Sequence, residues 1–232
     1  MTEAATARRV WAGAGVIFIC FFLSGATGLI YQVLWLRMLG LVFGHTVYAI
    51  TTVLAAFMAG LALGSFLFAR KVARIRDLIR AYGWLEIGIG VYCALIPLLL
   101  WLASLVYLGL HRALGLSYDA FSLVQFLLVF LLLLVPTTLM GGTLPVLSQA
   151  LVKQEAGLGR TVGALYAVNT LGAVVGTVLA GYVLLPALGN RATVGIAAVG
   201  NLLVGALAIA YSRRVRVAVP ADARPDLLGS RL

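Results

Sequence analysis

Ser24-Gly25-Ala26-Thr27-Gly28-Leu29-Ile30-Tyr31-Gln32-Val33-Leu34-Trp35-Leu36-Arg37 closes an apolar run that begins at Val10. A cleaved secretion signal has an apolar core of only about 7–15 residues. This run continues to Leu36, so it predicts an uncleaved first membrane span. Arg8 and Arg9, just before it, are then topology determinants. A helix that only faced lipid would need none of the small residues, the amide, the Trp and the Arg at the far end of the run. Their presence predicts a span packed against protein.

The rest of the chain repeats this pattern. Of 232 residues, 63% are hydrophobic and 10% are charged. Soluble domains carry about 45–50% and about 25%. The excess falls in six blocks, at 10–34, 47–69, 81–110, 121–151, 162–188 and 192–211. Each is long enough for a span of about 20 residues. The expected organisation is an N-terminal segment 1–9, a six-helix transmembrane domain 10–212 and a tail 213–232, disordered or a linker. Of the 17 Lys and Arg residues, fourteen fall before span one, in the 70–80 and 153–160 loops, and after span six. The other three are Arg37, Arg112 and Arg191. This asymmetry predicts both termini in the cytoplasm. The net charge of +10 is therefore a topology signal, and no basic face of a soluble fold remains for nucleic acid. Cys20 and Cys93 are the only cysteines and lie inside apolar blocks, which gives no support to zinc or redox motifs.

Span two opens Tyr48-Ala49-Ile50-Thr51-Thr52 and span five Tyr166-Ala167-Val168-Asn169-Thr170. Both continue into ladders of small residues, through Gly60 and Gly64 and through Gly172 and Gly176. Spans two and five run in opposite directions, so the expected fold is all-α: six transmembrane helices as two inverted three-helix repeats. Such repeats build secondary-transporter folds. Small residues four apart share a helix face and let backbones approach. Their expected role is packing within the bundle, ahead of a dimer interface. In span four, Pro136, Gly141, Gly142 and Pro145 predict a kink or break, since each Pro removes an amide donor. Pro97 predicts a milder kink in span three.

Few residues offer chemistry. Glu86 lies one and a half turns inside Arg80. It is expected either near the inner interface, paired with the Arg70–Arg80 cluster, or as a protonatable site. Arg37 is expected at the outer interface with Trp35 in the aromatic belt, or paired inside an outer vestibule. Gln32, Gln125, Asn169 and Asn201 read as interhelical glue. Tyr31, Gln32, Glu86, Asn169 and Thr170 are the candidates for a cavity or an interhelical polar cluster. His45 reads as a cap or interfacial residue. No catalytic, cofactor-binding or metal-binding motif is recognisable.

Ser24-Gly25 through Tyr31, Trp35-Leu36-Arg37, Phe43-Gly44, Phe57-Met58-Ala59-Gly60-Leu61-Ala62-Leu63-Gly64, Met140-Gly141-Gly142-Thr143-Leu144-Pro145 and Leu165 through Ala173 together resemble a known membrane region. It is that of bacterial fused transporter-like/spermidine-synthase-like proteins, over about 10–211. The resemblance implies a bacterial inner membrane and a half-major-facilitator architecture. Relatives carry Glu where this chain has Gln32, and continue into a cytosolic aminopropyltransferase-like domain. The sequence in hand reaches Leu232 without one.

The expected function is therefore a non-catalytic membrane module, an anchor or scaffold for a partner protein or a larger complex. Its basic inner face would meet anionic lipids. The alternative is a half-size carrier that dimerises to move a small organic cation such as a polyamine. No cofactor is expected, and a homo-oligomer or hetero-complex is.

Overall fold

The computed structural model describes residues 3–43, 47–115, 117–151 and 158–218. Its elements are α1 (Glu3–Phe43), α2 (Val47–Lys71), a 3-10 turn (Val72–Arg74), α3 (Leu78–Leu114), α4 (Tyr118–Leu151), α5 (Leu158–Leu179), a π turn (Ala180–Leu184) and α6 (Leu185–Ala218). No strand occurs among the described residues. Five helical stretches are long and apolar enough to cross a membrane: Gly15–Gly40, Val47–Arg74, Leu78–Leu114, Asp119–Leu151 and Gly159–Arg214. The protein is thus an all-helical, multi-pass membrane protein. The segment expected as an N-terminal tail is helical from Glu3, and α6 extends beyond position 212 to Ala218. His45, Lys153 and the tail from 219 lie outside the described residues.

The last apolar stretch is 56 residues long and is interrupted at Gly189, whose φ of 71° and ψ of −178° leave the helix. Only glycine takes such a backbone without strain. The π turn ends just before Pro186, with Leu185 N–H bonded to the Ala180 carbonyl, five residues back. A π turn is one of the ways a helix absorbs a residue that cannot continue its ladder.

Helix contacts are selective. α1 packs on α5 and α6, α2 on α4, and α3 on both α4 and α6. Glycines set the closest approaches. A methyl group at Gly60 would overlap Thr137, and one at Gly64 would overlap the Thr138 carbonyl. At Gly172 and Gly176 it would overlap the carbonyls of Phe22 and Ala26. Both ladders are therefore spent inside the bundle, one against α4 and the other against α1. The motif that drew attention to them fares differently. Ala49 and Thr52 are buried, whereas Ala167 and Thr170 are exposed, so these two stretches do not occupy equivalent environments.

α4 is not broken. It runs as one helix through Pro136 and Pro145, so of the expected kink or break the break is absent. The reason lies in its neighbours. Pro136 can offer no N–H to the Leu132 carbonyl, and the Tyr92 hydroxyl of α3 donates to that oxygen at 3.0 Å. Pro145 can offer none to the Gly141 carbonyl, and the Ser65 hydroxyl of α2 donates there, also at 3.0 Å. A buried carbonyl in a membrane needs such a partner. Thr137 and Thr138 add local bonds to the Leu133 and Leu134 carbonyls, at 2.7 and 2.6 Å.

Two apolar clusters fill the interior. One gathers Tyr31, Leu34, Trp35, Val53, Ile89, Ile96, Leu133 and Leu185. The other gathers Ile17, Phe21, Tyr82, Leu85, Leu147, Leu165 and Val204. On α1, α3 and α6 the residues between these clusters include a layer of polar side chains.

Candidate functional site

The polar layer is centred on Glu86. Its side chain is fully buried, at 0% exposure. α6 reaches it because α3 and α6 meet through glycines on either side of it. A methyl group at Gly83 would lie 2.7 Å from the Gly205 carbonyl, and one at Gly90 3.0 Å from the Ala198 carbonyl and 3.1 Å from Asn201 Cβ. With the backbones this close, Asn201 Nδ2 donates to Glu86 Oε2 at 2.6 Å. From α1, Ser24 Oγ donates to Glu86 Oε1 at 2.5 Å. Three helices thus converge on one carboxyl group.

Two more buried polar groups surround it. The Tyr82 hydroxyl lies one turn before Glu86, close enough to interact with its carboxyl and with Ser24 but without good hydrogen-bond geometry. Asn201 Oδ1 is buried without a partner. Ser24 is only half-buried. Thr27, beside it, bonds back to the Ser24 carbonyl at 3.0 Å.

The expected ion pair between Glu86 and the basic cluster is not present. The carboxyl points to Ser24 and Asn201, while Arg70, Lys71, Arg74, Arg76 and Arg80 are exposed at the helix ends. Asp77 is the acid at that end. It caps α3, accepting from Arg80 N–H at 3.0 Å, and accepts from Ser212 of α6 at 2.6 Å. The base of α3 is so tied to the end of α6.

The five residues expected to line a cavity or make interhelical polar contacts are placed separately. Tyr31 is buried with a partnerless hydroxyl and stacks on Trp35, ring centroids 5.9 Å apart. Gln32 is buried, with no hydrogen bond among the described residues. Asn169 donates to the Phe21 carbonyl at 3.0 Å, joining α5 to α1. Thr170 faces outward. Glu86 is the centre of the site, with Ser24, Tyr82 and Asn201 as neighbours and Tyr31 within electrostatic reach. Trp35, expected in the interfacial belt, is 1% exposed and packed in the core. Arg37 is exposed, two residues along the helix from that ring. Among the residues whose exposure is described, Trp84 and Trp101 of α3 are the exposed tryptophans. They are about 25 Å apart along the helix, close to the thickness of a hydrocarbon core.

Among the described residues no group of three His, Cys, Asp or Glu side chains could hold a metal. No family model, no curated protein and no solved structure matches the chain.

Proposed function

We propose that this chain is a six-span membrane module made of two inverted three-helix repeats, acting as an anchor or scaffold subunit for a partner protein or larger complex. The sixth span rests on the turn at Gly189. A 56-residue helix would rise about 84 Å, far beyond a bilayer. Gly176 abuts Ala26, and Gly200 lies 3.1 Å (as a methyl) from Thr27, the next residue of α1. Residues 24 positions apart can meet neighbouring residues of one helix only if the chain doubles back. The repeat reading is supported by the packing pairs. Exchanging α1 with α4, α2 with α5 and α3 with α6 turns the α2–α4 pair into α5–α1, and the α3–α4 pair into α6–α1. The two glycine ladders then occupy corresponding places. The resemblance to the membrane part of spermidine-synthase-like proteins, in the bacterial inner membrane with cytoplasmic termini, belongs to the same proposal.

The observation that carries the scaffold reading is where the interior polar groups go. Ser24, Ser65, Tyr92, Thr137, Asn169 and Asn201 each bond to a different helix from their own. Such bonds average about 0.6 kcal/mol in membranes, and together they fix helix positions. The result is a braced body with apolar outer faces and basic ends. Native mass measurement after mild-detergent purification tests it. The expected particle contains a stoichiometric partner; a strictly monomeric, partner-free particle overturns the proposal.

Glu86 favours a second reading. A buried carboxyl is costly in a membrane and marks ion pathways in carriers. Two copies would form a carrier for a small organic cation such as a polyamine. Reconstituted protein should then take up polyamine, and Glu86→Gln should abolish coupling. Uptake that survives this change removes Glu86 from the mechanism.

A further inference from the structure

We infer that Glu86, Asn201, Tyr82 and Ser24 form a buried proton-exchange site, able to hold the Glu86 carboxyl in either protonation state without moving the backbone. The inference rests on the membrane-spanning reading of α3, but on neither the scaffold nor the carrier function.

An ionised carboxylate only accepts hydrogen bonds, whereas a neutral acid must also donate one. A purely structural carboxylate would be surrounded by fixed donors such as Arg or backbone N–H. Among the described residues none of these bonds to Glu86. Its bonded neighbours are a serine hydroxyl and an asparagine amide. Next to them is a tyrosine hydroxyl. Each of the three can donate or accept. Ser24 and Asn201 Nδ2 both donate to the carboxyl, the arrangement an ionised group needs, and the Tyr82 hydroxyl beside it can serve as a third donor.

One proton taken from water converts the carboxylate to the acid, and that proton becomes a new donor on Oε2. An acceptor is already waiting. Asn201 Oδ1 is buried and partnerless beside it. The two ends of an amide are almost the same shape. Half a turn of the Asn201 side chain puts Oδ1 where Nδ2 was, to receive the acid hydrogen. The Tyr82 oxygen is a second acceptor of the same kind. Loss of the proton to water reverses each step. The orphaned amide oxygen, which a static structural cluster would leave unexplained, thus has a use.

The other titratable groups around the carboxyl reinforce this. α1 brings Cys20 and Tyr31, and α3 itself brings Tyr82 and Cys93. α6 brings the neutral Asn201. α4 brings Leu139 against Gly88, and its one described acid, Asp119, lies at the far end of the helix. Among the described residues no cation pairs with the carboxylate to pin it in its charged form. Access is through Ser24, the one half-buried member of the set.

The test is pH-difference infrared spectroscopy on the full chain in lipid nanodiscs. The wild type should show a protonated-carboxyl band that grows on acidification, reverses, and shifts in heavy water. Glu86→Gln should remove that band. Asn201→Leu should keep it but move it to higher frequency, the mark of an acid that has lost its acceptor. Ser24→Ala should slow its exchange in heavy water at least about tenfold. If Glu86→Gln fails to fold, the Asn201 and Ser24 variants still assign the band. Carboxyl bands that ignore pH in the wild type, or a titrating band that neither Asn201→Leu nor Ser24→Ala alters, would overturn the site. Reporter fusions that contradicted the topology would instead overturn the six-span proposal and leave the titration to be read on its own.

Discussion

Gly83 and Gly205 do as much for the polar site as the carboxyl itself. A methyl group at Gly83 would lie 2.7 Å from the Gly205 carbonyl, and one at Gly205 2.6 Å from the Gly83 carbonyl. Gly83→Leu or Gly205→Leu should push α6 away from α3 and destabilise the bundle by about 1–3 kcal/mol, as overpacking does. Gly195→Ala meets open space and should be neutral or slightly stabilising. Unfolding in mixed micelles separates these outcomes. Trp35 gives a second contrast. It stacks on Tyr31 in the core, so Trp35→Ala should cost about 3 kcal/mol. Trp84→Ala and Trp101→Ala, on exposed rings, should leave stability nearly unchanged and alter only the depth at which a tryptophan-quenching lipid probe reads α3. In the sequence, Trp35 beside Arg37 at the end of a span looked interfacial. Whether a ring faces lipid or protein depends on which helix covers it, and no residue near Trp35 encodes that. Glu86 was visible as a rare intramembrane acid. Its partners were not, since Ser24 is 62 positions away and Asn201 is 115.

At the scale of the helix, α4 shows how much a neighbour can conceal. Its two prolines made a break the natural expectation, and the lost donors are real. What could not be read locally is that Tyr92 and Ser65, on two other helices, supply hydroxyls to the two stranded carbonyls. Tyr92→Phe and Ser65→Ala should each lower stability by about 1 kcal/mol. The double change combined with Pro136→Ala should regain part of that, because alanine restores one N–H. Absence of any loss in Tyr92→Phe would mean that the Leu132 carbonyl does not depend on it. The glycine ladders, by contrast, were legible. Four-residue spacing fixes a helix face whatever the partner is, and both ladders do lie at close contacts.

For the whole molecule, the prediction concerns sidedness. Reporters fused after Arg76 and after Arg214 should lie on one side, and those after Arg112 and after Arg191 on the other. A reporter after Arg191 that sided with Arg76 would remove the turn at Gly189 and with it the sixth span. The membrane class was plain from composition alone, because no soluble core needs apolar blocks this long. The layout of the bundle was not, since contacts such as α1 with α5 arise from surfaces far apart in the chain. The hydroxyls that cover the stranded carbonyls of α4 also have a bearing on biosynthesis. Both come from helices made earlier, so they are already in the bilayer when the ribosome delivers α4, and that helix never has to wait with bare carbonyls in lipid. The carboxyl on α3 is in the opposite position. Ser24 is there from the start, but Asn201 arrives only with α6. A nascent chain halted before α6 would therefore display a half-satisfied acid within the membrane, a feature that a membrane protease could use to tell unfinished molecules from complete ones.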